Sequence, residues 1–179
     1  RIIRDIPSTN VVEGNKRTSL RQDVHGEMAR RGTACHCIRC REVRSKKVSP
    51  DHLQLNDLIY ETGASQEHFI SFDTPNDHLA GFLRLSLPGS NSPDVKMPDL
   101  HAAALIREVH VYGQSLAVGA EEIGAAQHVG LGTRLIRRAE EIARSHGFRR
   151  IAVISAIGTR LYYQKLGYFS GNFYQVKDL

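Results

Sequence analysis

The stretch QHVGLGTRLIRRAEEIARSHG, residues 127–147, constrains the fold more than any other. Leu131, Leu135, Ile136, Ala139, Ile142 and Ala143 recur at helical spacing, so residues 131–146 read as an amphipathic helix whose apolar stripe must be covered. Gly147 supplies the stop. Two glycines, Gly130 and Gly132, stand at its head, shortly after Gln127. A helix start leaves backbone N–H groups unpaired and carries a partial positive charge. Bare backbone at that spot suits a phosphate-bearing ligand, a tight turn, or a plain helix start. It is not a Walker loop, because no Gly-Lys-Ser/Thr follows, and it lacks the third glycine of the dinucleotide fingerprint.

The flanking segments place this helix in a mixed α/β domain. HFISFD (68–73) and LAGFLRLSLP (79–88) read as two strands of a hairpin joined through residues 73–77, and 88–99 is turn-rich loop. ALIREVHVYG (104–113) alternates as a strand, and the Ala/Gly-rich 114–126 loops out. After the long helix come a buried strand at 149–156, a short helix at 159–167 and a final strand at 168–177. Upstream, Leu20, Val24 and Met28 recur every four residues, predicting a helix over 15–31 that stops at Gly32.

Charge divides the chain differently. Residues 1–47 carry 12 Lys/Arg against 5 Asp/Glu, while 48–179 carry 12 against 14. A basic arm on a near-neutral domain suits a polyanionic partner or a solvated face. The shift near Val48-Ser49-Pro50 sets the expected boundary, with a linker at 1–47 and a domain at 48–179. No apolar run approaches the roughly 18 residues of a membrane span, so no membrane partner is expected. The chain begins without Met inside an apolar-basic pattern, as a piece of a larger protein would.

Cys35, Cys37 and Cys40 fall within six residues among Arg39, Arg41, Arg44, Lys46 and Lys47. An odd, clustered set is no disulfide framework and fits a reducing compartment, so a cytoplasmic protein is expected. Nearby positive charge favours thiolates, and zinc takes four nitrogen or sulfur ligands. Three are present, and the fourth is His25, His36, a residue elsewhere in the protein, or water; reduced thiols without a metal are the alternative. A zinc knot here would be structural.

A Gln-x-x-Gly-x-Gly turn after a strand and before a helix, with LYYQKLGY (161–168) further on, resembles the coenzyme A loop of the GNAT acetyltransferase superfamily. The resemblance implies a central mixed sheet with flanking helices, in which the pantetheine arm enters between splaying strands, here 106–112 and 150–156. The glycines would then cradle the coenzyme A pyrophosphate. A phenol near the thiol could protonate a departing thiolate.

IREVHVYG (106–113), QHVGLG (127–132), VISAIGTRLYYQKLGY (153–168), HCIRCREVRSK (36–46) and RDIPSTNVVEGNKRTSLRQ (4–22) together resemble the catalytic subunits of Elongator-type tRNA-modifying enzymes. That resemblance implies 5-carboxymethylation of the wobble uridine of tRNA, from a radical S-adenosylmethionine domain with a 4Fe-4S cluster and an acetyl-CoA domain. Residues 1–47 would hold the end of the radical domain and a basic, zinc-binding linker, and 48–179 the GNAT-type domain. Cys35-x-Cys37-x2-Cys40 departs from the Cys-x3-Cys-x2-Cys of the radical cluster, so that cluster is not expected in these residues.

By the same resemblance, Glu108, Val109, His110, Val111, Gln127, Gly130, Leu131, Gly132, Thr133 and Tyr163 contact acetyl-CoA. Tyr162 and Tyr163 serve the chemistry near the thioester, their alternative being core aromatics. The implied tRNA contacts are Lys16, Arg17, Arg21, Arg30, Arg31, Arg39, Arg41, Arg44, Lys46 and Lys47. His110 and His128 are candidate bases or structural histidines. Ala156 stands where the family pattern favours glycine. Partners beyond tRNA are the upstream radical domain and either a second copy or Elongator-like subunits. Two rival functions remain open: a protein lysine acetyltransferase with Glu108 as base, and a binding module without turnover.

Overall fold

The computed structural model describes residues 8–10, 12–14, 20–44, 48–112 and 130–179. The chain divides into two compact units, Arg1–Cys40 and Arg41–Leu179. Composition suggests a division at 47/48; Val43, a few residues before it, lies in the core of the second unit with Val48. The backbone N–H of Val43 bonds the carbonyl of Leu79, and Arg41 pairs with Asp73 at 2.9 Å and Asp77 at 2.7 Å.

In the first unit, α1 (Leu20–Arg30) occupies the described part of the expected 15–31 helix. It turns off at Gly32, where Thr33 N–H bonds the carbonyl of Met28. None of its residues is buried. The turn α2 (Ile38–Arg41) carries the end of the cysteine cluster.

The second unit is built on one seven-stranded sheet: β1 (Gln54–Glu61), β2 (Ser65–Asp73), β3 (Leu79–Pro88), β4 (Ala104–Val111), β5 (Arg150–Val153), β6 (Phe169–Ser170) and β7 (Gln175–Asp178). The spatial order is β1-β2-β3-β4-β5-β7-β6. Every neighbouring pair is antiparallel except β4–β5. Between β4 and β5 in sequence lies α3 (Leu131–Ser145), and between β5 and β6 the short α4 (Arg160–Lys165).

The expected stripe of α3 is the stripe that is buried: Leu131, Leu135, Ile136, Ala139, Ile142 and Ala143. It packs with Ile70, Phe72, Leu83, Leu85, Ile106, Ile151 and Val153 of the sheet. Each such aliphatic side chain contributes about 1.5–3 kcal/mol by leaving water. Leu135 has no exposed surface, and its truncation to Ala would cost about 2–5 kcal/mol. A smaller cluster, Ala103, Ala152 and Val176, is joined by Leu100, Leu105 and Tyr174.

The structure corrects two readings and adds one strand. The strand expected over 149–156 ends at Val153, because the chain then turns into a 3₁₀ turn at Ile157–Thr159. The single strand expected over 168–177 is a hairpin, β6 and β7, whose turn is folded by Asp99. Residues 54–61, not read as structure, form the edge strand β1. The expected loop at 114–126 lies outside the described residues. No helix among the described residues is long and apolar enough to cross a membrane.

Candidate functional site

The parallel pairing of β4 and β5 is short: Ala104, Leu105 and Ile106 face Ile151, Ala152 and Val153, and there it stops. β4 runs on to Val111 against β3 alone. At the point of parting, Leu85 faces Ile106 and Arg84 faces Glu108, leaving Arg107 as an extra residue on β4. Such a bulge bends a strand and increases its twist. The two strands part here, and residues 108–111 of β4 form one side of a cleft between them, with no β5 partner among the described residues.

At the end of this cleft begins α3. Its N-cap, Gly130, has no side chain to cap the helix, and first-turn N–H groups of a helix have no partner within the helix itself. A Cβ on Gly132 would stand 2.9 Å from the Tyr162 hydroxyl and 3.7 Å from Val111 Cγ2. Thr133 Oγ1 and Tyr162 Oη are 3.3 Å apart. The end of β4, the first turn of α3 and the face of α4 therefore converge on one spot.

Of the residues expected to contact acetyl-CoA, Val109 and Val111 pack against the core, whereas Glu108 and His110 are exposed. Leu131 is buried, so only its backbone can face a ligand. Glu108 lies 3.8 Å from Arg84, and His110 stacks on Phe82 and tilts against Tyr112, with ring centroids 6.0 and 4.5 Å away. The Phe82 stacking was not read from the sequence, because Phe82 meets His110 only through strand register. Gln127 and His128 lie outside the described residues.

The two tyrosines of α4 differ. Tyr162 is half-buried with its hydroxyl at the head of α3. Tyr163 is 7% exposed, its ring edge-on to Tyr162 and Tyr168 at 5.3 and 5.6 Å. Burial, with a smaller contribution from Tyr162, pushes the Tyr163 phenol up to about 12, so near neutral pH it is a proton donor and never an anion.

In the first unit, one ligand atom each of His25, Cys35 and Cys40 lie within 4.8 Å of one another. His25 Nε2 and Cys40 Sγ are 3.6 Å apart. Zinc bonds of about 2.3 Å to sulfur and 2.0 Å to nitrogen at the tetrahedral angle separate the two atoms by about 3.5 Å. The donor set fits. Cys37 stands outside that set, beside Arg21, whose Nη2 is 3.7 Å from Cys37 Sγ and 3.0 Å from Cys40 Sγ. The Cys40 backbone N–H, and after it the Arg21 guanidinium and the neighbouring thiols, lower the Cys37 thiol to about 6.

The basic residues are scattered in their duties. Arg21 faces the thiols, Arg30 and Arg31 pair with Glu27, and Arg41 is held between Asp73 and Asp77 with its side chain 20% exposed. Arg39 and Arg44 are exposed. Lys16, Arg17, Lys46 and Lys47 lie outside the described residues.

Residues 36–168 match the Acetyltransferase (GNAT) family. The tRNA uridine(34) acetyltransferase of Methanocaldococcus infernus is 41% identical over all of this chain and 35% of its own length. That of Dehalococcoides mccartyi is 38% identical over 94% of this chain and 37% of its own length. Elongator complex protein 3 of Drosophila melanogaster is 38% identical over all of this chain and 33% of its own length. The solved structure of the archaeal Methanocaldococcus infernus Elp3 with an N-terminal deletion superposes with a TM-score of 0.79 at 39% identity, covering all of this chain and 43% of that one. The chain thus spans about a third of the length of the curated relatives it matches. These are the relatives the sequence motifs pointed to. With the GNAT match running from the cysteine cluster through the α4 tyrosines, and a splayed β4–β5 pair opening beside the head of α3, the chain belongs to the GNAT acetyltransferase family.

Proposed function

We propose that the sheet unit binds acetyl-CoA and releases its acetyl group in the service of tRNA uridine 34 modification, as part of a longer enzyme. The observation that carries this is the parting of β4 from β5 beyond Ile106 and Val153, next to the glycine-headed start of α3. Relatives at about 40% identity named tRNA uridine(34) acetyltransferase support the choice of substrate. When bound, acetyl-CoA supplies an activated acyl group.

The chain's own residues then have separate duties. N–H groups of Leu131, Gly132 and Thr133 face the pyrophosphate, and the backbone of residues 108–111 meets the pantetheine amides. Gly130 and Gly132 keep that approach clear. Tyr163 holds its proton in a dry setting, and Tyr162 presents a hydroxyl at the same end of the cleft; both are the proton donors of this reading. His25, Cys35 and Cys40, with Cys37 alongside, hold a structural zinc in the linker. Arg39 and Arg44, with the lysines at 46 and 47, attract tRNA phosphates, and that attraction weakens with salt.

The experiment is acetyl-CoA hydrolysis by the full-length protein with and without tRNA, across a salt series. Stimulation by tRNA that fades with salt supports the reading. Acetylation of a basic peptide that ignores tRNA would replace it with a lysine acetyltransferase using Glu108 as base. Binding of both ligands without turnover would leave a binding module.

A further inference from the structure

One buried carboxylate in the sheet unit has no part in the machinery described so far. Glu67, on β2, is 3% exposed although it lies on the face of the sheet opposite the main core. Its Oε1 accepts from Ser65 Oγ at 2.7 Å and from Ser86 Oγ at 2.6 Å. Its Oε2 lies 3.3 Å from Arg107 Nη1. Burial alone would push this acid up, but the two hydroxyls and the Arg107 guanidinium outweigh it and hold the carboxyl below its ordinary value. Glu67 is a fixed anion.

Its partner is the extra residue of the β4 bulge. A bulge sets two successive side chains on one face of a strand. Here these are Arg107 and Glu108, and each is tied across the sheet: Arg107 to Glu67 on β2, Glu108 to Arg84 on β3. The first tie is anchored at its Glu67 end, although the Arg107 side chain is itself 46% exposed. Its carboxylate has two further hydrogen bonds and 4% side-chain exposure, whereas the Glu108–Arg84 pair is long and open to water. The bulge also coincides with the last β4–β5 pair, Ile106 with Val153.

We infer that Glu67 is a positioning residue: by gripping Arg107 it fixes the β4 bulge, and so sets the angle at which β4 leaves β5 to receive the pantetheine arm. The inference rests on the acetyl-CoA reading above. A bulge without this grip can slide by one residue, which would exchange the faces of Glu108, Val109, His110 and Val111. The head of α3 meets β4 at Val111, at the far end of the strand from the bulge, so the change should fall first on residues 108–110, which would receive the pantetheine arm.

That separation makes the test. Two probes are titrated against the full-length protein by calorimetry: acetyl-CoA, and adenosine 3′,5′-bisphosphate, which lacks the pantetheine arm. Arg107→Met breaks the grip from its solvent side, and Glu67→Gln breaks it from within; Arg107→Lys retains the charge. We expect Arg107→Met and Glu67→Gln to weaken acetyl-CoA about tenfold, a loss of about 1.4 kcal/mol, with adenosine 3′,5′-bisphosphate unchanged and Arg107→Lys close to the parent. Unchanged affinity for both probes in Arg107→Met overturns the inference, as does an equal loss of both. If the parent protein binds neither probe, the acetyl-CoA reading itself fails and takes this one with it.

Discussion

The Tyr162 hydroxyl occupies the space directly over Gly132: a Cβ at that position would stand 2.9 Å from it. Two residues thirty apart in sequence thus define the narrow end of the cleft. An Ala at 132 would favour the helix, by up to about 1 kcal/mol, yet push the tyrosine aside. Gly132→Ala should therefore raise the melting temperature slightly while weakening acetyl-CoA binding. Tyr162→Phe removes the obstructing oxygen, so the same glycine change in that background should cost less. A coupling of about 1 kcal/mol in the double-mutant cycle is expected. Additive effects would mean that the hydroxyl and the glycine do not share this space when ligand is bound.

The second prediction concerns Asp99, which is nearly buried and accepts N–H bonds from Phe173 at 2.7 Å and from Asn172 and Tyr174 at 3.1 Å each. The Phe173 N–H leads in holding this carboxyl below the ordinary aspartate range. A Cβ on Gly171 would overlap the Asp99 carboxylate. Asp99→Ala leaves three turn N–H groups without their acceptor and should cost about 2–3 kcal/mol in denaturant unfolding. Because the folded value is depressed, the stabilisation is complete above the ordinary carboxylate pKa and is lost as pH falls through the folded value. The gap between parent and Asp99→Asn should accordingly be full at neutral pH and close in acid. A gap that persists unchanged in acid would assign the effect to packing.

That clip also explains what the sequence concealed. The α3 stripe, the β2–β3 hairpin and the α4 tyrosines were legible because burial or turn chemistry repeats locally along each of them. The β6–β7 turn was not, since its fold is dictated by a carboxylate more than seventy residues upstream. β1 escaped for the opposite reason: Leu55, Leu58 and Ile59 are all exposed, so the strand has no apolar alternation to betray it and exists through pairing with β2. At the site, the glycines and tyrosines could be named in advance. The bulge could not, because an extra residue is defined only against the partner strand.

A third prediction follows from Lys177. Its ammonium donates to both oxygens of Glu140, at 3.0 and 2.9 Å, and to the carbonyl of Leu166 at 2.8 Å. One cation thereby joins α3, β7 and the end of α4. Glu140 has 6% side-chain exposure, and Arg144, at 3.9 Å, is a distant second partner. Lys177→Met would leave that acid poorly paired, at a cost of about 3 kcal/mol. The double change Lys177→Met, Glu140→Leu should recover most of it. Failure of the second change to rescue would show that the Leu166 contact, and not the ion pair, is what matters.

The linker unit supplies the last prediction. α1 has no buried residue and shows Leu20 and Val24 half exposed, so apolar burial gives this helix little stability. If zinc joins His25 on α1 to Cys35 and Cys40, metal ligation supplies stability that α1 does not gain from burial. Full-length protein purified without chelator should then carry one zinc per chain, and cobalt substitution should give the absorption of a tetrahedral sulfur-rich site. Cys35→Ser, Cys40→Ser and His25→Ala should each lose the metal and expose residues 20–40 to amide exchange. The sheet unit should keep its protection and its affinity for acetyl-CoA. Cys37→Ser is the discriminating variant. Retention of zinc with weakened affinity would make Cys37 an outer partner steered by Arg21, whereas loss equal to that of Cys40→Ser would make it the fourth ligand. Full protection of residues 20–40 in metal-free protein would remove the structural role altogether.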